Sequence, residues 1–135
     1  YSMDWEGNGA DSVMIGICDE NKNTGQELQH WVQQICQLYD NPPQIVRYER
    51  VGDLVEAMRV RHFHAILLSK DGPEGFLTVR RLREMDARVR LIFLTDTSQY
   101  AVMGVRLHLT DYVVKPVEFK NVVRAMKLAG IGNGR

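Results

Sequence analysis

The 135-residue chain has little of what marks several common classes of protein. Its two cysteines, Cys18 and Cys36, lie inside apolar segments and lack the CxxC spacing of zinc or redox sites. They are expected to be small buried hydrophobes, a usage that suits a reducing cytoplasm. No apolar run approaches the roughly 20 residues that span a bilayer, and the N-terminus lacks the charged and apolar blocks of a signal peptide, which points to a soluble cytoplasmic protein without a membrane partner. Neither sign of charge is in excess. Lys plus Arg and Asp plus Glu stand at 17 each, which argues against DNA contact by this piece alone and against an acidic disordered tail.

What is present fits one compact domain. A hydrophobic content of 44% allows a chain of this length to bury a core without disulfides or a structural metal. Residues 1–12 carry Gly7, Asn8 and Gly9 in a row and no periodicity, and read as a flexible arm or a cloning remnant. Residues 130–135 read as the start of a linker, leaving room for a C-terminal domain, so the domain itself is expected over residues 13–129.

Within those limits, short apolar runs alternate with segments of helical period. Strands are expected at Val13–Cys18, Gln44–Tyr48, Ala65–Leu68, Val89–Leu94 and Asp111–Val114. Helices are expected after each: one on Leu28, Trp31, Val32, Ile35, Cys36 and Tyr39, then Gly52–Arg61, Glu74–Met85, Ser98–Leu107 and Glu118–Ala129. Thr24 and Glu27 have capping-box spacing for the first helix, with Asn21 or Asn23 as earlier starts. Strands separated by helices pair in parallel, because each crossover needs a helix, and runs without alternation mean that both sheet faces are covered. The expected fold is a three-layer α/β sandwich, doubly wound, with a five-stranded parallel sheet of order 2-1-3-4-5; Val114 is expected to be covered in its fifth strand.

In such sheets a ligand site lies at the carboxyl ends of the strands. Asp19 and Glu20 follow the first strand, Ser69, Lys70 and Asp71 the third, Thr95 and Asp96 the fourth, and Lys115 and Pro116 the fifth. Hard carboxylate oxygens suit Mg²⁺, and a lysine with a threonine hydroxyl suits phosphoryl oxygens. Three segments carry a family resemblance over residues 13–129: ICDE at 17–20, FLTDTSQYAVMGV at 93–105 and DYVVKPVEF at 111–119. The chain resembles the receiver domains of two-component response regulators, which are CheY-like, and among them those joined to LytTR-type DNA-binding domains. The resemblance implies that Asp19 and Glu20 match the metal-binding acids, Thr95 the phosphate-sensing hydroxyl, Tyr112 the switch aromatic and Lys115 the lysine that contacts the phosphoryl group. It also implies a cis bond between Lys115 and Pro116.

The departures from that family matter as much. Ser69 stands where the phosphoacceptor aspartate is expected, with no histidine base nearby to activate its hydroxyl. Its loss leaves two acids where the family has three, so Mg²⁺ binding is expected to be weakened. Asp71 is the alternative, displaced acceptor, set against an ordinary turn at Gly72-Pro73. Asp96 replaces a small residue at the pocket and is expected to repel a phosphoryl donor or to pair with Lys115, while His108 and Leu109 replace the small pair before the fifth strand.

Bland readings compete at several positions. Asp19 and Glu20 also suit a helix N-terminus, Lys115 an ion pair, and Tyr112 half-buried packing. His62 and His64 lack a third metal ligand and read as strand-edge residues. Arg80, Arg81, Arg83, Arg88 and Arg90, interrupted by Glu84 and Asp86, read as a solvated helix face. The combined expectation is a pseudo-receiver, not an enzyme, that dimerises through its fourth helix, fifth strand and fifth helix, where Tyr100, Val102, Met103, Val105, Arg106 and Lys120 lie. It would regulate a C-terminal LytTR-like DNA-binding domain. The rival is a working phosphoreceiver served by a sensor histidine kinase. A flavodoxin-like cofactor binder would need a phosphate loop where ICDENKN stands.

Overall fold

The computed structural model describes residues 13–39 and 41–131. The expected arm 1–12 and the residues after 131 lie outside that range. Five strands alternate with five helices: β1 (Met14–Asp19), α1 (Lys22–Cys36), β2 (Gln44–Tyr48), α2 (Val51–Val60), β3 (Ala65–Ser69), α3 (Gly72–Met85), β4 (Arg90–Thr95), α4 (Ala101–Arg106), β5 (Asp111–Val114) and α5 (Phe119–Leu128). All four pairings are parallel and the sheet order is β2-β1-β3-β4-β5, as the pattern of apolar runs requires.

Between their polar ends the central strands are apolar because alternate residues feed two separate cores. Ile15 and Ile17 of β1, Leu67 of β3 and Ile92 of β4 pack on the side of α1 and α5, with Val32 and Met126. Cys18, Ile66, Leu68 and Phe93 turn to the other face and meet Leu54, Val79 and Leu82 of α2 and α3. Burial pushes the Cys18 and Cys36 thiols up to about 12 and about 11, so both behave as small neutral hydrophobes. The edge strand β5 departs from expectation. Val113 is 3% exposed but Val114 is 43% exposed, because β5 has one strand neighbour and Val114 points to the face that α1 and α5 do not cover there. An acid at 114 therefore has no reason to unfold the domain.

Several boundaries move for local reasons. The Asn21 side chain accepts the Thr24 amide at 3.1 Å, so α1 starts at the earlier of its signals and Thr24 is freed for other work. The α4 helix is six residues long, where ten were expected. At the end of α5, Gly130 adopts φ 78° and the Ile131 amide reaches the Met126 carbonyl at 2.9 Å, a helix-terminating turn that needs a left-handed residue. Ile131 is 7% exposed in the core, so Gly130 ends a helix instead of opening a linker, and the domain runs at least to 131.

Candidate functional site

Register brings the strand ends together. Asp19 pairs with Ser69 across β1 and β3, Thr95 lies opposite Val114 across β4 and β5, and the Lys115 amide donates to the Thr95 carbonyl at 2.8 Å. The four residues expected at one edge are thus gathered there. Beside them is a pocket of about 240 Å³, with Asp19, Ser69, Lys115 and Pro116 on the sheet side and Leu28 and Trp31 of α1 on the other. Lys115 and Pro116 are joined by a cis peptide bond, as the resemblance implies. Asp19, Ser69 and Thr95 are all buried, and Ser69 closes β3 with a hydroxyl beside the Asp19 carboxylate.

The acids around this edge are engaged by the chain itself. Asp19 accepts from the Thr24 hydroxyl at 2.5 Å and from the Asn21 amide at 3.0 Å. Glu20 accepts from the Lys70 ammonium at 2.9 Å. Lys115 donates to Asp71 at 2.8 Å, not to Asp96 as the sequence suggested. The reason is local: α3 begins at Gly72 straight after β3, which brings Asp71 over Lys115. Asp96 instead accepts the Gly72 amide at 3.1 Å, capping α3 from outside, and lies 3.5 Å from the Thr95 hydroxyl.

A divalent cation of the Mg²⁺ type does not fit this donor set. It needs several oxygens free to converge, yet Asp19 is doubly hydrogen-bonded, Glu20 is held by an ammonium, and β3 contributes no carboxylate. Among the described residues no three His, Cys, Asp or Glu side chains cluster as a metal site. The two histidines part company: His62 faces Asp86 at 3.5 Å, while His64 is half-buried with Nε2 3.1 Å from the Ala129 carbonyl. Burial, with Arg90 nearby, lowers the His64 pKa.

Tyr112 is half-buried. Its hydroxyl donates to the Thr97 carbonyl at 2.6 Å and its ring stands edge-on to Phe93 at 5.3 Å, so the side chain ties β5 to the loop before α4. Burial raises its pKa and keeps the phenol a donor.

Two cations were misjudged from sequence. Arg83 is not part of a solvated face. Its guanidinium donates to the carbonyls of Leu107 at 2.8 Å, Val89 at 2.8 Å, Asp86 at 3.0 Å and His108 at 3.2 Å, joining α3, the start of β4 and the end of α4. Arg80, Arg81, Arg88 and Arg90 are exposed as expected. The other is Lys70, passed over between Ser69 and Asp71. Its place directly after a buried strand and one strand away from an acidic pair was the available signal.

Comparison with known proteins agrees with this geometry. No family model matches the chain. The transcriptional regulatory protein LytR of Staphylococcus aureus is 30% identical over 83 residues, covering 58% of this chain and 32% of LytR. The chain thus spans about a third of the length of the curated relatives it matches. Among solved structures, the response regulator TrrA of Thermotoga maritima, in complex with Mg²⁺ and beryllium fluoride, superimposes with a TM-score of 0.69 at 19% identity, over 87% of this chain and 97% of TrrA. An atypical orphan response regulator, described as having a phosphorylation-independent regulatory mechanism, gives a TM-score of 0.70 at 18% identity over 87% and 96% of the two chains. Among the described residues no helix is long and apolar enough to cross a membrane. The chain thus has the doubly wound fold of these response-regulator structures, with distant sequence similarity to LytR over 83 residues.

Proposed function

We propose that the chain is a pseudo-receiver, the regulatory module of a LytR-like response regulator that works by protein docking and not by aspartyl phosphorylation. The observation that carries this reading is Ser69 at the end of β3, paired with Asp19, where the chemistry requires a carboxylate nucleophile. A hydroxyl does not form an acyl phosphate, because that mixed anhydride needs a carboxylate oxygen as nucleophile. The acids that a metal would need are occupied by Thr24 and Lys70. In this reading the chain is not an enzyme, and control of transcription passes to a C-terminal DNA-binding domain, a role supported by what LytR is named for.

The output face is α4, β5 and α5, used by a second copy of the chain. Val102 and Val105 are 77% and 74% exposed, an apolar surface on a helix of six residues with no structural need for it. A specific observation also favours the rival reading. The Asp71 carboxylate lies on the Lys115 ammonium, as a displaced acceptor served by a histidine kinase would.

The two are separated by intact-mass measurement after incubation with acetyl phosphate and Mg²⁺. The unaltered chain is expected to gain no phosphoryl group, and beryllium fluoride is expected to leave its melting temperature unchanged. A hydroxylamine-sensitive phosphoryl group that is lost in Asp71→Asn would establish the rival. Ser69→Asp, which restores the nucleophile, is the positive control for the pocket.

A further inference from the structure

Around the carboxyl edge of the sheet, Asp19, Glu20, Asp71 and Asp96 each receive a donor from the chain: Thr24 and Asn21, Lys70, Lys115, and the Gly72 amide. Two of those donors are ammonium groups. Lys115 sits where the resemblance to receivers puts it, but Lys70 has no such precedent in the sequence reading, and its peptide is fixed on both sides. Its amide donates to the Leu94 carbonyl at 3.1 Å, extending the β3–β4 pairing by one residue. Its carbonyl is backed by Gly75 of α3, where a Cβ would stand 2.2 Å from that oxygen. Only glycine allows so close an approach. The first turn of α3 therefore clamps the Lys70 peptide, and the side chain leaves the strand edge toward Glu20, with 15% of its surface exposed.

We infer that Lys70 is a tethered cation for the Asp19–Glu20 acidic pair, standing electrostatically in the place of a divalent ion. The inference deepens the pseudo-receiver reading and rests on it for its biological meaning, though not for its measurement. An ammonium on a clamped peptide is always present, whereas a free ion must be recruited from solution. A dication approaching Asp19 would have to draw Glu20 away from Lys70 and then remain within a few ångströms of the displaced positive charge. Because Glu20 is exposed, the pair adds little to folding, as ion pairs open to solvent generally do. Its effect falls on ion binding, since repulsion between like charges at short range weakens a site that is already short of ligands. The consequence is an edge of the sheet held in one charge state whether or not metal is present.

The test is a Mn²⁺ titration of the whole chain, with free ion counted by electron paramagnetic resonance and the Mg²⁺-dependent change in melting temperature as a second readout. The unaltered chain is expected to bind Mn²⁺ no better than Asp19→Asn. Lys70→Met, which keeps the apolar stem and removes the charge, is expected to bind on the order of tenfold more tightly. Lys70→Arg should stay silent. Adding Glu20→Gln to Lys70→Met should remove the gain, whereas adding Glu27→Gln, at the far wall of the pocket, should preserve it. Equal binding by the unaltered chain and Lys70→Met overturns the inference, and so does a gain that survives Glu20→Gln. Lys70→Gln serves the same comparison if the methionine variant does not fold. Because no phosphoryl donor is used, the two readings fail separately: labelling by acetyl phosphate with a silent titration sinks the pseudo-receiver, and tight Mn²⁺ binding without labelling sinks the tethered cation.

Discussion

The helices before and after β5 are held to the domain in different ways. The α5 helix has ten residues, opens with a reciprocal cap in which the Asn121 side chain accepts the Glu118 amide at 2.8 Å, and buries Val122, Ala125 and Met126. It ends on Gly130 with Ile131 folded back into the core. The α4 helix has six residues, lacks a side-chain cap, and buries Gly104 alone. So short a helix has no stability of its own, because the cost of nucleation is spread over too few hydrogen bonds. It is held at its two ends: Tyr100 stacks on Phe76 at 5.0 Å, Leu107 and Leu109 pack against the core, and a polar clamp closes the carboxyl end. His108 takes φ 56°, the Leu109 amide reaches the Gly104 carbonyl at 3.2 Å, and Arg83 gathers the carbonyls of Leu107 and His108. One helix is secured by burial along its length and the other mainly at its two ends, where the Arg83 clamp joins the packing, which leaves the outer surface of α4 exposed.

The largest effect that would sharpen this contrast is in α5. Met126 is fully buried, so Met126→Ala should destabilise the domain by about 2–5 kcal/mol, read as a shift in the urea midpoint with cooperativity kept. A small loss there would mean that α5 is not part of the cooperative core.

Next comes the clamp. Arg83→Ala leaves carbonyls of three segments without their donor and should cost about 1–3 kcal/mol. Its signature is local: amide exchange should quicken at residues 106–109 while α5 stays protected. Arg83→Lys should not restore protection, since an ammonium lacks the planar fork that reaches several carbonyls at once. Equal quickening in both helices would erase the distinction between them.

The smallest effect runs the other way. A left-handed φ is costly for a residue with a Cβ, whereas glycine adopts it freely but loses more entropy on folding. His108→Gly should therefore stabilise the chain by about 0.5–1 kcal/mol net, visible as a higher melting temperature. A loss of stability would show that the imidazole makes an interaction that outweighs the strain.

The contrast between α4 and α5 also explains where sequence reading held and where it slipped. Strands β1, β3 and β4 were legible because each is covered on both faces, so the residues between their polar ends had to be apolar whichever way they pointed. The edge strand broke that rule at Val114, which is apolar without being covered. Helix α4 was drawn four residues too long because Ser98–Tyr100 and Leu107, which continue its pattern, form turns at its two ends, while its own Val102, Met103 and Val105 stand exposed. Arg83 was hidden among four exposed arginines, and nothing in its neighbours distinguishes a clamp from a solvated side chain.

The sequence by itself determined the parallel sheet, its order, and the gathering of Asp19, Ser69, Thr95 and Lys115 at one edge, because periodicity and crossover handedness leave few other arrangements. It also determined that no carboxylate ends β3. Which acid meets which cation was decided only by tertiary structure. The pairs Lys70 with Glu20, Lys115 with Asp71, and Asp96 with the Gly72 amide join residues 24 to 50 positions apart, and they depend on the point at which α3 turns out of the sheet. Side-chain pairing is set by distances of a few ångströms, and a pattern of residue types along the chain carries no information on that scale.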